Sequence, residues 1–178
     1  GPPVLQVSSE EAPRLGEQAQ SGVEVQLIAR VMRTPASAVN VTAMIKGSNP
    51  ALPPLVVMTP RSGWYSCASE RGGGIACWLE VMRALGTARP GRTVLFVASS
   101  GHELGHLGIN AFVDRRPGVV PKTVGWMHLG ANIGAATEPG NILQASDDEF
   151  DAMLSRAMSA SGLSVDQRIS RGTIPRGE

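Results

Sequence analysis

The sequence has few cysteines, few aromatic residues and almost no net charge. Two cysteines in 178 residues are too few for a disulfide-stabilised scaffold. The formal net charge is +1 and the basic residues are scattered, so the sequence does not predict the basic surface that nucleic acid or an anionic membrane requires. No apolar run approaches the ~20 residues needed to span a bilayer. We therefore expect no nucleic-acid partner and no insertion into a membrane.

The two cysteines, Cys67 and Cys77, are separated by too many residues for a CxxC metal motif. A disulfide between them would require their Cα atoms to lie within about 7 Å, which the sequence does not determine. We expect two free thiols. Cysteine usage therefore leaves the cellular compartment open.

The first quarter of the chain contains sequence patterns typical of a helix and of strands. Residues 8–11, Ser-Ser-Glu-Glu, match a capping box and predict a short helix to about Gln20, with Gly22 at its end. Apolar and polar residues then alternate in two runs, which is typical of strands with one buried face. The runs consist of Val23, Val25, Leu27, Ala29 and Val31, and of Val39, Val41, Ala43 and Ile45. They predict an antiparallel pair of strands.

Continuous apolar runs at residues 55–58 and 94–97 are typical of parallel strands that helices cover on both faces. Between them, an apolar stripe with helical spacing predicts a helix that ends at Gly86 and completes a βαβ unit. The stripe consists of Ile75, Trp78, Leu79, Met82 and Leu85. Residues 124–127 are a weaker candidate for a third strand.

A last helix is predicted near the C-terminus. Residues 146–149, Ser-Asp-Asp-Glu, match a second capping box. Apolar residues with helical spacing follow, and Gly162 lies at the end of the predicted helix. Residues 170–175 lack any period, and we expect a core element to be missing after them. The predicted elements indicate an α/β fold of three αβα layers, with a mostly parallel sheet and an antiparallel edge.

Residues beyond the carboxyl ends of the parallel strands are the candidates for a functional site, because ligands of open sheets bind there. His102, Glu103 and His106 match HExxH, which on a helix binds zinc through two imidazoles with the glutamate as base. Gly101 and Gly105 make a poor rigid helix, and the sequence offers no obvious third ligand. A single-metal site at these residues and a purely structural role of His106 both stay open.

The sequence around this motif resembles the co-catalytic zinc aminopeptidases, a family that includes glutamate carboxypeptidases and transferrin receptors. Residues 93–108 resemble its strand ending in Gly-Glu-Glu-x-Gly, residues 54–63 its strand ending in His-x-Asp, and residues 68–85 its Ala-Asp-Asp-Asn-Ala-Ser-Gly segment and helix. The resemblance implies a peptidase-like α/β domain at residues 36–178, incomplete at its C-terminus. Residues 1–35 resemble the tail of a protease-associated domain, followed by an edge strand.

Most positions of the family's metal ligands are changed in this sequence. The resemblance places the family's His ligand at or near Arg61, its bridging Asp at Ser69 and a later Asp at about Gly130. Glu103 keeps a ligand, and His102 replaces the catalytic base. One carboxylate near a guanidinium cannot balance two divalent cations, so we expect no paired zinc and no cofactor. We expect Arg61 to pair with Glu103 instead.

Other residues near the predicted strand ends suggest catalysis or binding. Cys67 and His102 are a candidate nucleophile and base, with backbone N–H groups of residues 72–74 as an oxyanion site, although inert packing of Cys67 is the simpler interpretation. Candidate binding residues are Trp64, Tyr65, Glu70 and Arg71. The two aromatic rings are equally well explained as a cover over the core.

The resemblance implies a zinc-aminopeptidase-like domain that has lost the di-zinc site and acts as a non-catalytic binding or assembly domain. The alternative is an atypical peptidase or amidase that uses one zinc ion at His102, Glu103 and His106, or the Cys67 and His102 pair. The associations we consider are with a protein or peptide partner, a missing C-terminal segment, or a second copy. A secreted or periplasmic location is implied by the resemblance alone.

Overall fold

The computed structural model of the chain describes residues 4–64, 66–130 and 140–173. It divides the chain into two compact units, residues 1–37 and residues 38–178. The first unit contains a 3-10 turn, Ser9–Glu11, and helix α1, Ala12–Gln20. The second unit contains a sheet and the remaining helices. No helix among the described residues is long and apolar enough to cross a membrane.

Helix α1 confirms the predicted N-terminal helix, but its predicted capping box is wrong. The side chain of Ser8 makes no capping hydrogen bond, and the backbone carbonyl of Ser8 instead accepts from the backbone N–H of Glu11 at 3.1 Å. Glu11 turns toward the helix and accepts from Arg14 Nε at 2.8 Å. Gly22 has a φ of +72°, a left-handed conformation that glycine adopts without strain and that ends the helix as predicted.

The predicted strand at residues 23–31 is wrong, because none of these residues lies in a strand. Their apolar side chains are exposed, including Val25 at 79% and Val31 at 82%. An alternating pattern fits a strand only when a second strand supplies hydrogen-bond partners and a core covers one face. The second predicted run does form strand β1, Val41–Ile45, but its antiparallel partner lies much later in the chain.

The second unit contains a four-stranded sheet in the order β1-β3-β2-β4. Its other strands are β2, Leu55–Pro60, β3, Val94–Ser99, and β4, Gly125–His128. Strand β2 pairs in parallel with both β3 and β4, whereas β1 pairs antiparallel with β3. The structure thus confirms the mostly parallel sheet with an antiparallel edge, and the third strand candidate.

Helices cover both faces of this sheet. On one face, Val56, Met58 and Val97 pack against Ile109 and Phe112 of helix α3, Leu107–Asp114. On the other face, Val57, Val94, Phe96 and Ala98 pack against Trp78 of helix α2, Gly73–Ala88. Because successive side chains of a strand point to opposite faces, a continuous apolar run contributes side chains to the core on each face of the sheet. The fold is therefore mixed α/β with helices on the two faces of an open sheet.

Helix α2 ends later than predicted. Gly86 lies inside the helix, and Arg89 takes the left-handed position with a φ of +51°. Its backbone N–H donates to the carbonyl of Leu85 at 3.2 Å, and Pro90 stops any continuation. Gly86 permits a helix end but does not require one.

The remaining elements are short except for the last helix. Helix α4, Val119–Lys122, precedes β4, and strands β5, Ile142–Leu143, and β6, Gln167–Arg168, form a parallel pair. Helix α5, Asp148–Ala160, confirms the last predicted helix, and Gly162 has a φ of +75° beyond its end.

The capping box predicted for α5 is wrong by one position. Asp147 is the N-cap, and its carboxylate accepts from the backbone N–H of Phe150 at 2.9 Å. Ser146 instead donates its hydroxyl to Asp147 at 2.7 Å. A carboxylate is also favoured over a hydroxyl at a helix N-terminus, because the helix dipole is positive there.

Candidate functional site

The chain that follows β2 and the chain that follows β3 meet at the carboxyl ends of the parallel strands. A π-helical turn, Ala68–Gly72, leads from the first of these segments into α2. A 3-10 turn, His102–Leu104, leads from the second toward α3. Most of the predicted site residues lie on these two segments, as expected from the strand-end rule for parallel sheets.

An ion pair between Arg71 and Glu103 lies at the centre of the site. Arg71 Nη2 is 2.6 Å from Glu103 Oε1, and the two side chains are 7% and 12% exposed. Glu70 Oε1 lies 3.2 Å from the same nitrogen and is 41% exposed. Arg71 therefore neutralises a nearly buried carboxylate and contacts a second one at the surface.

Ser62 connects the two segments around this ion pair. Its hydroxyl donates to Glu103 Oε2 at 3.0 Å and accepts from the backbone N–H groups of Gly101 at 2.9 Å and His102 at 3.2 Å. Its backbone carbonyl accepts from Arg71 Nε at 2.8 Å. Both carboxylate oxygens of Glu103 thus have a hydrogen-bond donor. Sequence reasoning missed Ser62, although its place two residues after a buried strand was a usable signal.

The predicted pairing of Arg61 with Glu103 is wrong. Arg61 Nη1 donates to the carbonyl of Val39 at 2.7 Å and to the hydroxyl of Ser100 at 3.1 Å. Arg61 leaves the end of β2 toward the start of β1, whereas Arg71 reaches Glu103 from the turn before α2. The guanidinium expected at this carboxylate is present, but a different residue supplies it.

The HExxH motif does not form the helix that a zincin requires. Gly105 and His106 have φ values of +89° and +60°, and α3 begins only at Leu107. Positive φ values break the helical path between the two histidines. Their ring centres still lie 4.8 Å apart. Within the described residues, no group of three or more His, Cys, Asp or Glu side chains is placed to hold a metal ion.

Cys67 is held in a left-handed conformation, with a φ of +35°. Its thiol donates to Glu70 Oε2 at 2.7 Å, and this hydrogen bond is the main cause that raises the pKa of Cys67 above its ordinary value. A nucleophilic cysteine needs a lowered pKa, because the thiolate is the reactive species. The structure confirms that Cys67 and Cys77 are free thiols.

The predicted oxyanion site at residues 72–74 is wrong. The π-helical turn Ala68–Gly72 runs directly into α2, so these glycines lie beyond the first turn of a continuous helical segment. Only the N–H groups of a first turn lack helical partners. Gly74 instead permits a close approach, since a Cβ there would lie 2.5 Å from the carbonyl oxygen of Gly130 and 2.7 Å from that of Leu129.

The remaining candidate residues have varied surroundings. Trp64 is 62% exposed, which excludes it as a cover over the core. Tyr65 lies outside the described residues.

Ser69 lies in the π-helical turn, and Gly130 lies two residues beyond the end of β4 with no side chain to offer a ligand. His128 is the last residue of β4 and is exposed.

These positions do not fit a pair of zinc ions. A dinuclear centre needs several carboxylates and imidazoles directed to one point. Glu103 is bound by the guanidinium of Arg71, Arg61 faces Val39, and Gly130 has no side chain. A metal ion at Glu103 would have to displace the guanidinium and would leave a nearly buried arginine without its strongest partner.

The pH dependence of stability should report the state of Glu103. Burial raises the pKa of Glu103, but hydrogen bonds from Arg71, from its own backbone and from Ser62 together lower it below the ordinary value of 4.5. A lowered folded-state pKa stabilises the protein above pH 4.5, and this contribution is lost as pH falls through the folded-state pKa. We expect the difference in unfolding free energy between the unchanged chain and Glu103→Gln to shrink in acid. Urea unfolding from neutral pH to about pH 3 measures it, and a constant difference would contradict the assignment.

Alkylation of Cys67 should be slow because Glu70 keeps its thiol protonated. We expect Glu70→Ala to increase the rate at which iodoacetamide modifies Cys67 near neutral pH, while Cys77 in the same chain reacts as before. Peptide mass spectrometry separates the two sites. Fast modification of Cys67 in the unchanged chain would contradict the prediction and favour a nucleophilic role.

The chain matches no model of a known protein family. A search of curated proteins likewise finds no match.

Proposed function

We propose that this chain is a zinc-aminopeptidase-like domain that has lost its di-zinc site and acts as a non-catalytic binding or assembly domain. The observation that carries the proposal is the ion pair between Arg71 and Glu103. Glu103 is the one residue that the motif resemblance retains as a metal ligand. The proposal assigns to the guanidinium of Arg71, which lies 2.6 Å from Glu103, the role next to this carboxylate that a metal ion has in the family.

The electrostatics of the ion pair support this proposal. A carboxylate that is 12% exposed requires a positive charge or hydrogen-bond donors, because burying it alone costs several kcal/mol. Arg71 supplies the positive charge and, with Ser62, the hydrogen-bond donors, so that no bound metal ion is needed for this purpose. A guanidinium binds a carboxylate in a fixed geometry and is covalently part of the chain, so it does not dissociate into solvent as a metal ion can. The proposal therefore requires no cofactor to hold the carboxylate of Glu103 in its nearly buried position.

The alternative is a hydrolase with one zinc ion at His102, Glu103 and His106. The adjacent rings of the two histidines favour it, since two imidazoles can form part of a zinc site. The break of the helix between them and the engagement of Glu103 with Arg71 oppose it. The Cys67 and His102 alternative is opposed by the raised pKa of the thiol.

Metal analysis of the purified chain tests the proposal. The protein is incubated with excess zinc, passed through a desalting column and analysed by plasma mass spectrometry, next to a chelator-treated sample. We expect well below one zinc ion per chain. The matched control is the double variant His102→Ala and His106→Ala, which should retain the same trace amount.

Stoichiometric zinc that the unchanged chain retains and the double variant loses would support the single-metal hydrolase and overturn the proposal. A second measurement follows hydrolysis of chromogenic aminoacyl substrates with and without added zinc. We expect the unchanged chain to be no faster than Glu103→Gln. A zinc-dependent rate that Glu103→Gln removes would equally contradict a non-catalytic role.

A further inference from the structure

Strand β1 is an edge strand of the four-stranded sheet. Among the described residues its only strand partner is β3, so the outer side of β1 presents backbone N–H and C=O groups that no other described strand pairs with. Its sequence, Val-Thr-Ala-Met-Ile, contains no charged residue and no proline. Proteins commonly use such residues to prevent an edge from pairing with another chain. The edge is thus chemically suited to accept a further strand.

The edge is also exposed and held in place. The side chains of Val41 and Met44 are 46% and 54% exposed, although both are apolar. The start of the strand is fixed, because Arg61 and Ser100 both donate to the carbonyl of Val39. An ordered strand loses little conformational entropy when it pairs, so this edge is prepared for association.

Asn40 also helps to fix the start of β1. Its side chain donates to the carbonyl of Gly108 at 2.7 Å and accepts from the backbone N–H of Ser100 at 3.1 Å. These bonds connect the residue before β1 to the chain that follows β3.

We propose that β1 pairs antiparallel with β1 of a second copy of this chain, across a two-fold axis at Ala43. Such a pairing places Val41 opposite Ile45 and Thr42 opposite Met44, and it joins the two sheets into one of eight strands. An interface across a two-fold axis requires a surface that is complementary to itself. An uncharged strand with a small residue at its centre meets this requirement.

Charge further favours a second copy as the partner. In this register Lys46 of one chain lies opposite Asn40 of the other, so no like charges face each other across the strands. Like charges directly opposite would destabilise the pair. On the face that continues the core of α2, Ala43 and Ile45 already pack against that core, and the second copy extends it. The interface does not involve Glu103, so its test is independent of the metal measurement.

A charge-exchange experiment on the full chain tests the register. One variant carries Thr42→Lys and Met44→Lys, and the other carries Thr42→Glu and Met44→Glu; both positions are exposed on β1. Each variant alone places like charges opposite each other twice, whereas a mixture places opposite charges there. Molecular mass is measured by light scattering and sedimentation over a wide concentration range. We expect the unchanged chain to form dimers, each variant to associate roughly tenfold or more weakly, and the equimolar mixture to form dimers again.

Two control variants, Leu79→Lys and Leu79→Glu, each add one charge of the corresponding sign at an exposed position of α2, where Leu79 is 53% exposed. We expect both to dimerise as the unchanged chain does. Circular dichroism establishes that every variant is folded before its mass is interpreted. An unchanged chain that stays monomeric, variants that still dimerise, or a mixture that stays monomeric would each overturn the proposal.

Discussion

Replacing Arg71 with alanine is expected to lower the free energy of unfolding of the 38–178 unit by about 3 kcal/mol, because it leaves Glu103 nearly buried without a cation. Arg71 is 7% exposed and donates to both Glu103 and the carbonyl of Ser62. Urea unfolding followed by tryptophan fluorescence measures the effect. All three tryptophans lie in this unit, so their signal does not report the first 37 residues.

Two controls make this prediction specific to the buried ion pair. Arg83→Ala removes an ion pair to Glu80 whose side chains are 70% and 61% exposed, and we expect little change because solvent screens such pairs. Adding Glu103→Gln to Arg71→Ala removes the nearly buried carboxylate charge that has lost its cation, and it should restore part of the lost stability. An unchanged urea midpoint for Arg71→Ala would show that Glu103 does not need this partner.

The second large effect is expected for Trp78→Ala, which should cost about 3 to 5 kcal/mol because it removes a large buried ring. Trp78 is 4% exposed and contacts Phe96 edge to face, with ring centres 5.6 Å apart. Its indole N–H also donates to the carbonyl of Val57 at 3.0 Å. Thermal and urea unfolding measure the loss.

Trp64→Ala is the matched control, since the same ring is removed at a position that is 62% exposed. We expect that variant to unfold at nearly the same urea concentration as the unchanged chain. Trp78→Phe should fall between the two, because it keeps most of the apolar contact and leaves the carbonyl of Val57 without its donor. Equal effects of Trp64→Ala and Trp78→Ala would contradict the packing of α2 on the sheet.

The proposed loss of the metal site has a consistent physical explanation. Glu103, in the 3-10 turn that follows β3, is largely removed from water, and this is costly unless a positive charge lies next to it. A bound metal and a guanidinium both meet that need, but only the metal can activate a water molecule. A domain in which an arginine has this role would retain the shape of the family and be free to serve binding or assembly. The proposed pairing of β1 is one form of such assembly.

Arg61 and Arg71 show which features of the site could be predicted from the sequence and which could not. The need of Glu103 for a cation follows from charge and burial, and sequence reasoning identified it. The identity of the cation depends on the direction in which each side chain leaves its element. Arg61 continues β2 and faces Val39, while Arg71 lies on a turn that brings it back toward Ser62. A linear sequence carries no such directions.

Local patterns by themselves predicted helices α1, α2 and α5 and the central strands. Apolar runs fixed β2 and β3, helical spacing fixed α2 and α5, and Gly22 and Gly162 marked two ends, because these features depend on neighbours within a few residues. Only the tertiary structure decided the partner of β1, the absence of a strand at residues 23–31, and the break at Gly105 and His106. Strand pairing, ion pairing and backbone conformation in loops depend on residues that are distant in the chain. Their outcome is therefore set by which segments meet when the core forms, as Glu103 and Arg71 do.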